Sequence, residues 1–240
     1  KAITDNEFCL FFQPKLNLRT NSINQAEVLL RWNHPVHGLI APGAFIELAE
    51  QTGMIRDITR LVLKQTYAII TLCANQNIRL SVNLSAMDLE DFSLIDFMQT
   101  LHKQQPDASR HIVLEITESA AMRDPEQALD ILNQLAAMHF QIAVDDFGTG
   151  YSSLTYLKQL PIHELKIDRS FVLEAPTDNN DKLIIDMIVS LGRLFQLEVV
   201  AEGVENQSHF DLLQEYPEVI LQGYHLHRPE PLESWLEKLN

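Results

Sequence analysis

The chain has 240 residues, of which 46% are hydrophobic and 21% are charged, a composition typical of a globular protein. Its formal net charge of −15 argues against binding of bulk nucleic acid, because contacts to phosphate groups need a basic surface. No apolar run reaches the ~18 residues that span a bilayer, so we predict no membrane segment in this chain.

Short apolar runs alternate with stretches of helical periodicity along the chain. Strands are predicted at Phe8–Gln13, Ile23–Trp32, Leu80–Ser85, Ile112–Thr117, Gln141–Asp146, Glu164–Asp168, Glu198–Gly203 and Val219–Tyr224. Helices are predicted at Gly43–Gln51, Ile58–Asn75, Leu94–Gln104, Pro125–Met138, Ser152–Leu160, Asp181–Phe195, Gln207–Glu215 and Leu232–Leu239.

This alternation predicts an α/β protein with a closed, mostly parallel (β/α)8 barrel, and the alternative is an open, doubly wound sheet. Only Asn17–Ser22 separates the first two strands, which leaves no room for a helix between them. These two strands could therefore form a hairpin, so that the barrel would contain one antiparallel strand.

Polar residues interrupt the apolar strands near their carboxyl ends, where barrels of this kind hold their active sites. The acidic ones are Glu27, Glu115, Asp145, Asp146 and Glu202, against which Arg31 and Lys166 supply the positive charge. Burial of uncompensated carboxylates is costly, so two divalent cations would be needed to balance them. Oxygen ligands, with Asn83 adding a carbonyl, favour Mg²⁺ or Mn²⁺, and paired metals about 4 Å apart suit displacement at phosphorus.

The order of short motifs along the chain is more specific than any one of them. They are Gln13-Pro14, Glu27-Val28-Leu29-Leu30-Arg31-Trp32, Val82-Asn83-Leu84-Ser85, Leu114-Glu115-Ile116-Thr117-Glu118-Ser119, Asp145-Asp146-Phe147-Gly148-Thr149-Gly150-Tyr151-Ser152-Ser153-Leu154, Lys166-Ile167-Asp168, Ala201-Glu202-Gly203-Val204-Glu205 and Gln222-Gly223-Tyr224. From about Glu7 to Pro231 the chain resembles the EAL domain, a bacterial phosphodiesterase of cyclic di-GMP. The resemblance implies a TIM-like barrel with an antiparallel first strand, and hydrolysis of cyclic di-GMP to linear pGpG by in-line attack of water activated by two metals.

The resemblance also implies roles for individual residues. Two Mg²⁺ or Mn²⁺ ions would be held by Glu27, Asn83, Glu115, Asp145, Asp146 and Glu202, with Asp145 bridging them. Lys166 would lie beside the nucleophilic water, and Glu27 and Glu202 would share the catalytic role. The nucleotide groove would be lined or supported by Gln13, Leu30, Arg31, Asp168, Glu205 and Gln222. Glu118 would anchor the loop Phe147–Ser153, which in this family couples metal binding to dimer contacts.

Further expectations concern the context of the chain. We expect residues 1–240 to form one domain cut from a longer protein, because the sequence opens on Lys1 rather than Met. The expected partners are cyclic di-GMP, a second copy in a homodimer, and an N-terminal regulatory or GGDEF-type domain. Cys9 and Cys73 lie in apolar contexts without a CxxC motif, which indicates reduced thiols and a cytoplasmic domain. The full-length protein could still be anchored to a membrane through a segment outside this chain.

Two alternatives to hydrolysis stay open on the sequence. The second residue of the family signature is Val28 instead of Ala, and some members with a degenerate signature bind the nucleotide without cutting it. Strand alternation points Val28 away from Glu27, and the intact loop after Asp146 favours a competent enzyme. A barrel with acids on several strands and a lysine on the sixth could instead run metal-assisted enolisation.

Overall fold

The computed structural model describes residues 2–150 and 154–239. Its strands are β1 (Phe8–Asn17), β2 (Ser22–His34), β3 (Gly38–Ile40), β4 (Arg79–Leu84), β5 (Ile112–Thr117), β6 (Gln141–Phe147), β7 (Glu164–Ile167), β8 (Glu198–Ala201) and β9 (Ile220–Leu221). They pair in the order β1-β9-β8-β7-β6-β5-β4-β2-β3, and a further pairing of β1 with β2 closes the ring. The predicted closed barrel is confirmed, and the open sheet is wrong.

β1 is the one strand of the ring that runs against its neighbours. It pairs antiparallel with both β2 and β9, whereas the pairings from β2 through β4 and on to β9 are parallel. The short Asn17–Ser22 connection makes this a hairpin, as expected. The strand β3 was not predicted. It pairs only with the end of β2 and lies outside the ring.

The helices are α1 (Ile46–Gln51), α2 (Ile55–Leu72), α3 (Ser93–Gln104), α4 (Glu118–Arg123), α5 (Pro125–Ala137), α6 (Leu154–Leu157), α7 (Arg169–Glu174), α8 (Asn179–Phe195), α9 (Gln207–Leu213) and α10 (Leu232–Glu237). The short helices α4 and α7 were not predicted. The predicted helix Ser152–Leu160 is present as α6 at Leu154–Leu157, and its first two residues lie outside the described residues. Within the described ranges, no helix combines the length and apolar character needed to cross a membrane.

The main apolar core lies between the barrel wall and the surrounding helices. Every second residue of a strand faces this layer, as Leu114 and Ile116 do in β5. Val28 is only 4% exposed and belongs to the same core, so it points away from Glu27 as predicted. The last helix is fixed by Trp235, whose ring stacks on Phe12 and whose indole nitrogen donates to the carbonyl of Ile23.

The interior of the barrel is strongly polar, unlike the branched apolar side chains that usually fill such barrels. The buried polar and charged residues on the inward faces of the strands are Gln13, Lys15, Glu27, Ser81, Glu115, Glu164 and Lys166, with Gln222 directly after β9. The outward-facing strand residues already form the apolar core with the helices. Charged side chains can therefore occupy the barrel interior without loss of that core.

Candidate active site

Four carboxylates, each in or directly after a different strand, surround the ammonium group of Lys166. Its Nζ lies 2.7 Å from Glu115 Oε2, 3.0 Å from Asp145 Oδ2 and 2.6 Å from Glu202 Oε1. The Glu27 carboxylate is slightly further away, at 3.9 Å. Lys166 itself is fully buried in the wall of the barrel. The structure thus brings together four of the six predicted metal ligands and all three predicted catalytic residues.

The strand ends explain this convergence. Glu115 on β5 is level with Asn83 on β4, and Lys166 on β7 is level with Val200 on β8. Glu202 follows β8 directly, and its backbone N–H donates to the carbonyl of Ile167. Because neighbouring parallel strands are in register, polar residues near the carboxyl end of each strand meet in one mouth.

Asp145 and Asp146 are consecutive, so plain strand alternation would send their side chains to opposite faces. The pairing of β6 with β7 is interrupted between Val144 and Phe147, where β6 carries a bulge. Asp146 has a φ of 53°, in the left-handed region that Asp tolerates better than most residues. Its carboxyl then lies close enough to Asp145 and Asp168 to be affected by both charges.

The charges in the mouth are not balanced. Burial alone would lower the pKa of Lys166, but the acids around it raise that pKa well above its ordinary value. Burial raises the pKa of Glu202; Lys166 opposes this rise, and Asp145 and Glu27 add to it. Burial, Asp145 and Asp168 together raise the pKa of Asp146 to about 6. One lysine ammonium therefore leaves a negative excess at this end of the barrel.

Three amide side chains line the other side of Glu27. Asn83 Nδ2 donates to Glu27 Oε1 at 2.7 Å, and Gln222 Nε2 donates to Glu27 Oε2 at 2.6 Å. Gln222 Nε2 also lies 3.2 Å from Gln13 Oε1. Among the described residues, the amide oxygen of Gln222 is a buried acceptor without a hydrogen-bond partner. These contacts hold Glu27 in place and place Asn83, Gln13 and Gln222 beside the carboxylate cluster.

The other residues predicted for the groove are more spread out. Arg31 is half-buried, donates to the carbonyl of Leu30 and lies over the ring of Phe11. Asp168 caps α7 by accepting from the N–H of Ser170 at 3.0 Å, and Glu205 pairs with Arg169 at 3.5 Å. Leu30 is not in the polar mouth: its side chain packs in the apolar core with Val28.

Glu118, the predicted loop anchor, begins α4 and is only 4% exposed. Its Oε2 accepts from the backbone N–H of Gly148 at 3.1 Å, so the predicted contact between this acid and the loop is present. A Cβ at Gly150 would lie 2.7 Å from Glu118 Oε1, and therefore glycine is needed there for close approach. The remainder of the predicted loop, residues 151–153, lies outside the described residues.

The sequence reasoning missed a second layer of charge below the mouth. Lys15 is 1% exposed, and its Nζ donates to Ser81 Oγ at 2.8 Å and to Glu115 Oε1 at 2.9 Å. Glu164 Oε1 lies 3.4 Å from the same ammonium. The available signal was alternation in β1, since Lys15 lies two positions after Gln13, on the same inward face.

In the described parts of the chain, the acidic side chains do not form a ready-made metal cluster of three or more groups. Four of them turn an oxygen towards Lys166 instead. The donor set nevertheless fits hard divalent cations, because it consists of carboxylate and amide oxygens with an excess of negative charge. The buried and unpartnered oxygen of Gln222 agrees with a site that receives a further polar group.

Comparisons with known proteins show what the chain is similar to. The chain is 43% identical over 239 residues to a bifunctional diguanylate cyclase/cyclic di-GMP phosphodiesterase, MucR of Pseudomonas aeruginosa, covering 98% of this chain and 35% of that protein. It is 37% identical over 242 residues to the cyclic di-GMP phosphodiesterase NbdA of the same species, covering 100% of this chain and 31% of that protein. The chain thus spans about a third of the length of these curated relatives.

A solved structure described as the PaMucR phosphodiesterase in complex with c-di-GMP superimposes with a TM-score of 0.91. The two share 43% sequence identity, and the match covers 97% of this chain and 96% of the other. The family model of the EAL domain matches residues 1–229. On the family match and on the barrel that carries it, the chain belongs to the EAL domain family.

Proposed function

We propose that the chain hydrolyses cyclic di-GMP to linear pGpG with two bound Mg²⁺ or Mn²⁺ ions. The observation that carries the proposal is the convergence of Glu27, Glu115, Asp145 and Glu202 on the buried Lys166. The names of the similar proteins MucR and NbdA support the choice of substrate. The excess of carboxylate over ammonium supports the need for cations.

The ions would be held by the oxygens of Glu27, Asn83, Glu115, Asp145, Asp146 and Glu202. Bound there, they would neutralise the carboxylates and act as Lewis acids towards the phosphodiester oxygens. Hydrolysis needs charge stabilised on the non-bridging phosphate oxygens, a well-placed water and a stabilised leaving alkoxide. The protein's own part is to bring the acids together and to orient both water and nucleotide.

Lys166 is suited to donate hydrogen bonds in the mouth. When no ion is bound, the surrounding acids raise its pKa well above the ordinary value and hold the group as an ammonium. Its three N–H groups can orient a water beside Glu115, Asp145 and Glu202, and can stabilise negative charge that develops on a phosphate oxygen. We therefore assign Lys166 the role of orienting the water and stabilising charge on the phosphate.

The mouth also offers groups that could bind the nucleotide. Gln13 and Gln222 are amides that can pair with the edge of a guanine, and Arg31 offers a guanidinium for a phosphate. Asp168 and Glu205 lie further out, at the start of α7 and after β8, where they can position the groove.

The test is incubation of the purified chain with cyclic di-GMP and Mg²⁺ or Mn²⁺, followed by chromatography and mass spectrometry. We expect pGpG to accumulate with either ion and not in excess EDTA. Glu27→Gln should abolish turnover, because it removes a charge from the mouth without changing its volume. The matched control is Glu233→Gln, which makes the same change at an exposed position in α10.

Calorimetry with cyclic di-GMP distinguishes hydrolysis from the main alternative, which is binding of the nucleotide without cleavage. A folded sample that binds the nucleotide with metal present, yet gives no product with either ion, would make the chain a receptor rather than a hydrolase. Light scattering on the same sample tests the proposed homodimer. Deuterium exchange into a carboxylate substrate, without cleavage of cyclic di-GMP, would favour the enolisation chemistry.

A further inference from the structure

A chain of charges, buried except at its outer end, runs below the mouth, at the opposite end of the barrel interior from Glu202. Arg79 pairs with Glu164 Oε2 at 3.7 Å and, on its outer side, with Glu198. Glu164 Oε1 lies 3.4 Å from Lys15, and Lys15 lies 2.9 Å from Glu115. Glu115 in turn lies 2.7 Å from Lys166. Charges of alternating sign thus connect the lower end of the barrel to the candidate site.

Glu115 is held at both of its oxygens. Lys15 donates to Oε1 and Lys166 donates to Oε2, and the Glu115 side chain is fully buried between them. Burial alone would raise the pKa of Glu115, but Lys15 and then Lys166 lower it to below its ordinary value. Two opposed donors fix the rotation of the carboxylate about its last bond.

The two lysines are not equivalent. Lys166 faces four carboxylates, so its contact with Glu115 competes with those to Asp145 and Glu202. Lys15 has fewer acceptors, and two of them, Ser81 and Glu164, are themselves buried. Lys15 therefore has no carboxylate of the mouth other than Glu115 within ion-pairing distance among the described residues.

We infer that Lys15 is a positioning residue that holds Glu115 Oε1 and so turns its Oε2 towards the mouth. The inference rests on the proposed function, in which Glu115 is a ligand of a divalent ion. Buried partners that orient a ligating group typically change metal affinity by about 10- to 100-fold when they are removed. Lys15 would act in this way from below the site, without touching nucleotide or ion.

The experiment compares three variants of the same chain: Lys15→Met, Glu164→Gln and the double variant of both. Lys15→Met keeps the length of the side chain and removes its charge. It could also lower stability, because it leaves Glu164 and Glu115 with one partner fewer. The double variant restores the local charge balance, so it separates folding from positioning. Glu164→Gln alone keeps the contact between Lys15 and Glu115 and serves as the matched control.

Binding of Mn²⁺ is measured by the electron paramagnetic resonance signal of the free ion, and urea unfolding is measured in EDTA. Turnover of cyclic di-GMP at saturating Mn²⁺ gives kcat and KM separately. We expect Lys15→Met and the double variant to weaken Mn²⁺ binding by about tenfold or more and to lower kcat. KM for the nucleotide should change little, since Lys15 does not face the groove. The double variant should unfold at nearly the parent's urea concentration.

Parent-like Mn²⁺ affinity in the folded double variant would overturn the inference. So would an equal loss of affinity in Glu164→Gln, because that variant retains Lys15. If the parent binds Mn²⁺ but cuts no cyclic di-GMP, the proposed hydrolysis fails while the comparison of Mn²⁺ affinities still decides the role of Lys15. If the parent binds no Mn²⁺ at all, both the proposed metal site and the positioning role of Lys15 are wrong.

Discussion

At the scale of single residues, Lys166 provides the positive charge that partly offsets the carboxylates of the mouth. It is the cation that four carboxylates share, and its removal leaves them facing one another, with Glu27 and Glu115 buried. Breaking a buried ionic network from one side usually costs about 3–5 kcal/mol. The same residue is the donor that we assign to water and phosphate. Its replacement should therefore affect stability and turnover together, but through separable causes.

We expect Lys166→Met to abolish turnover and to lower the free energy of unfolding by about 3–5 kcal/mol in EDTA at neutral pH. Carboxylates whose pKa is raised in the folded state bind protons there at higher pH than in the unfolded state. The variant should consequently regain stability as the pH falls, which reduces its deficit against the parent. Urea unfolding across the acidic to neutral range checks this, with Lys103→Met at an exposed position of α3 as control. A deficit that does not change with pH would contradict the electrostatic account.

The sequence identified the residues of the mouth because each lies at the end of an apolar run. Glu115 and Lys166 interrupt strands at the edge where barrels of this class hold their active sites. Their position in the strand and their charge therefore both indicate a functional role. Lys15 and Glu164 lie at the opposite end of the interior, where apolar side chains are normally expected. Neither has a local signal that tells a buried ion pair from an exposed one, and only the closed barrel brings them together.

At the scale of elements, the loop after β6 depends on a close contact with α4. The carboxylate of Glu118 accepts from the N–H of Gly148, and Gly150 passes over the same carboxylate. The bulge that turns Asp146 towards Asp168 lies directly before this loop. A change in the contact with Glu118 should therefore be transmitted to the positions of the two aspartates.

We expect Gly150→Ala to lower turnover while the barrel stays folded. The added Cβ would lie 2.7 Å from Glu118 Oε1, which must move and so weaken its hold on Gly148. Gly43→Ala is the matched control, because its Cβ would meet nothing within 4 Å and neither glycine has a positive φ. Activity and urea unfolding of the two variants give the comparison. Equal activity in both would show that the contact with Glu118 does not position the site.

The elements differ in how far the sequence could predict them. The hairpin of β1 and β2 was predictable because the connection Asn17–Ser22 is too short for a helix. The helices α4 and α7 are short and begin within two residues of the ends of β5 and β7, so the sequence shows no helical period separate from the strand. The bulge in β6 was also not predictable, because it depends on the pairing with β7.

At the scale of the whole molecule, the net charge of −15 is accompanied by an excess of carboxylates over ammonium groups at one end of the barrel interior. The outer apolar layer supplies the hydrophobic burial, and the interior carries acids that one end leaves uncompensated. Closure of the ring could be predicted from eight strands that alternate with helices. The charged layer below the mouth could not, since alternation places Lys15 on the inward face but does not show which partners the closed ring brings to it.

Divalent ions should therefore stabilise the entire fold. An ion that binds only the folded chain adds about 2.7 kcal/mol to the free energy of unfolding at a free concentration of about 100 times its dissociation constant. Each kcal/mol raises the Tm of a protein of this size by about 2–4 °C. We thus expect Mn²⁺ to raise the Tm over that in EDTA, with KCl at equal ionic strength as control. Asp145→Asn should lose most of this rise, because it removes an acid that faces Lys166 in the mouth. The same rise with KCl, or an undiminished rise in Asp145→Asn, would mean that the stabilisation comes from general screening of an acidic surface and not from ions bound among the carboxylates of the barrel.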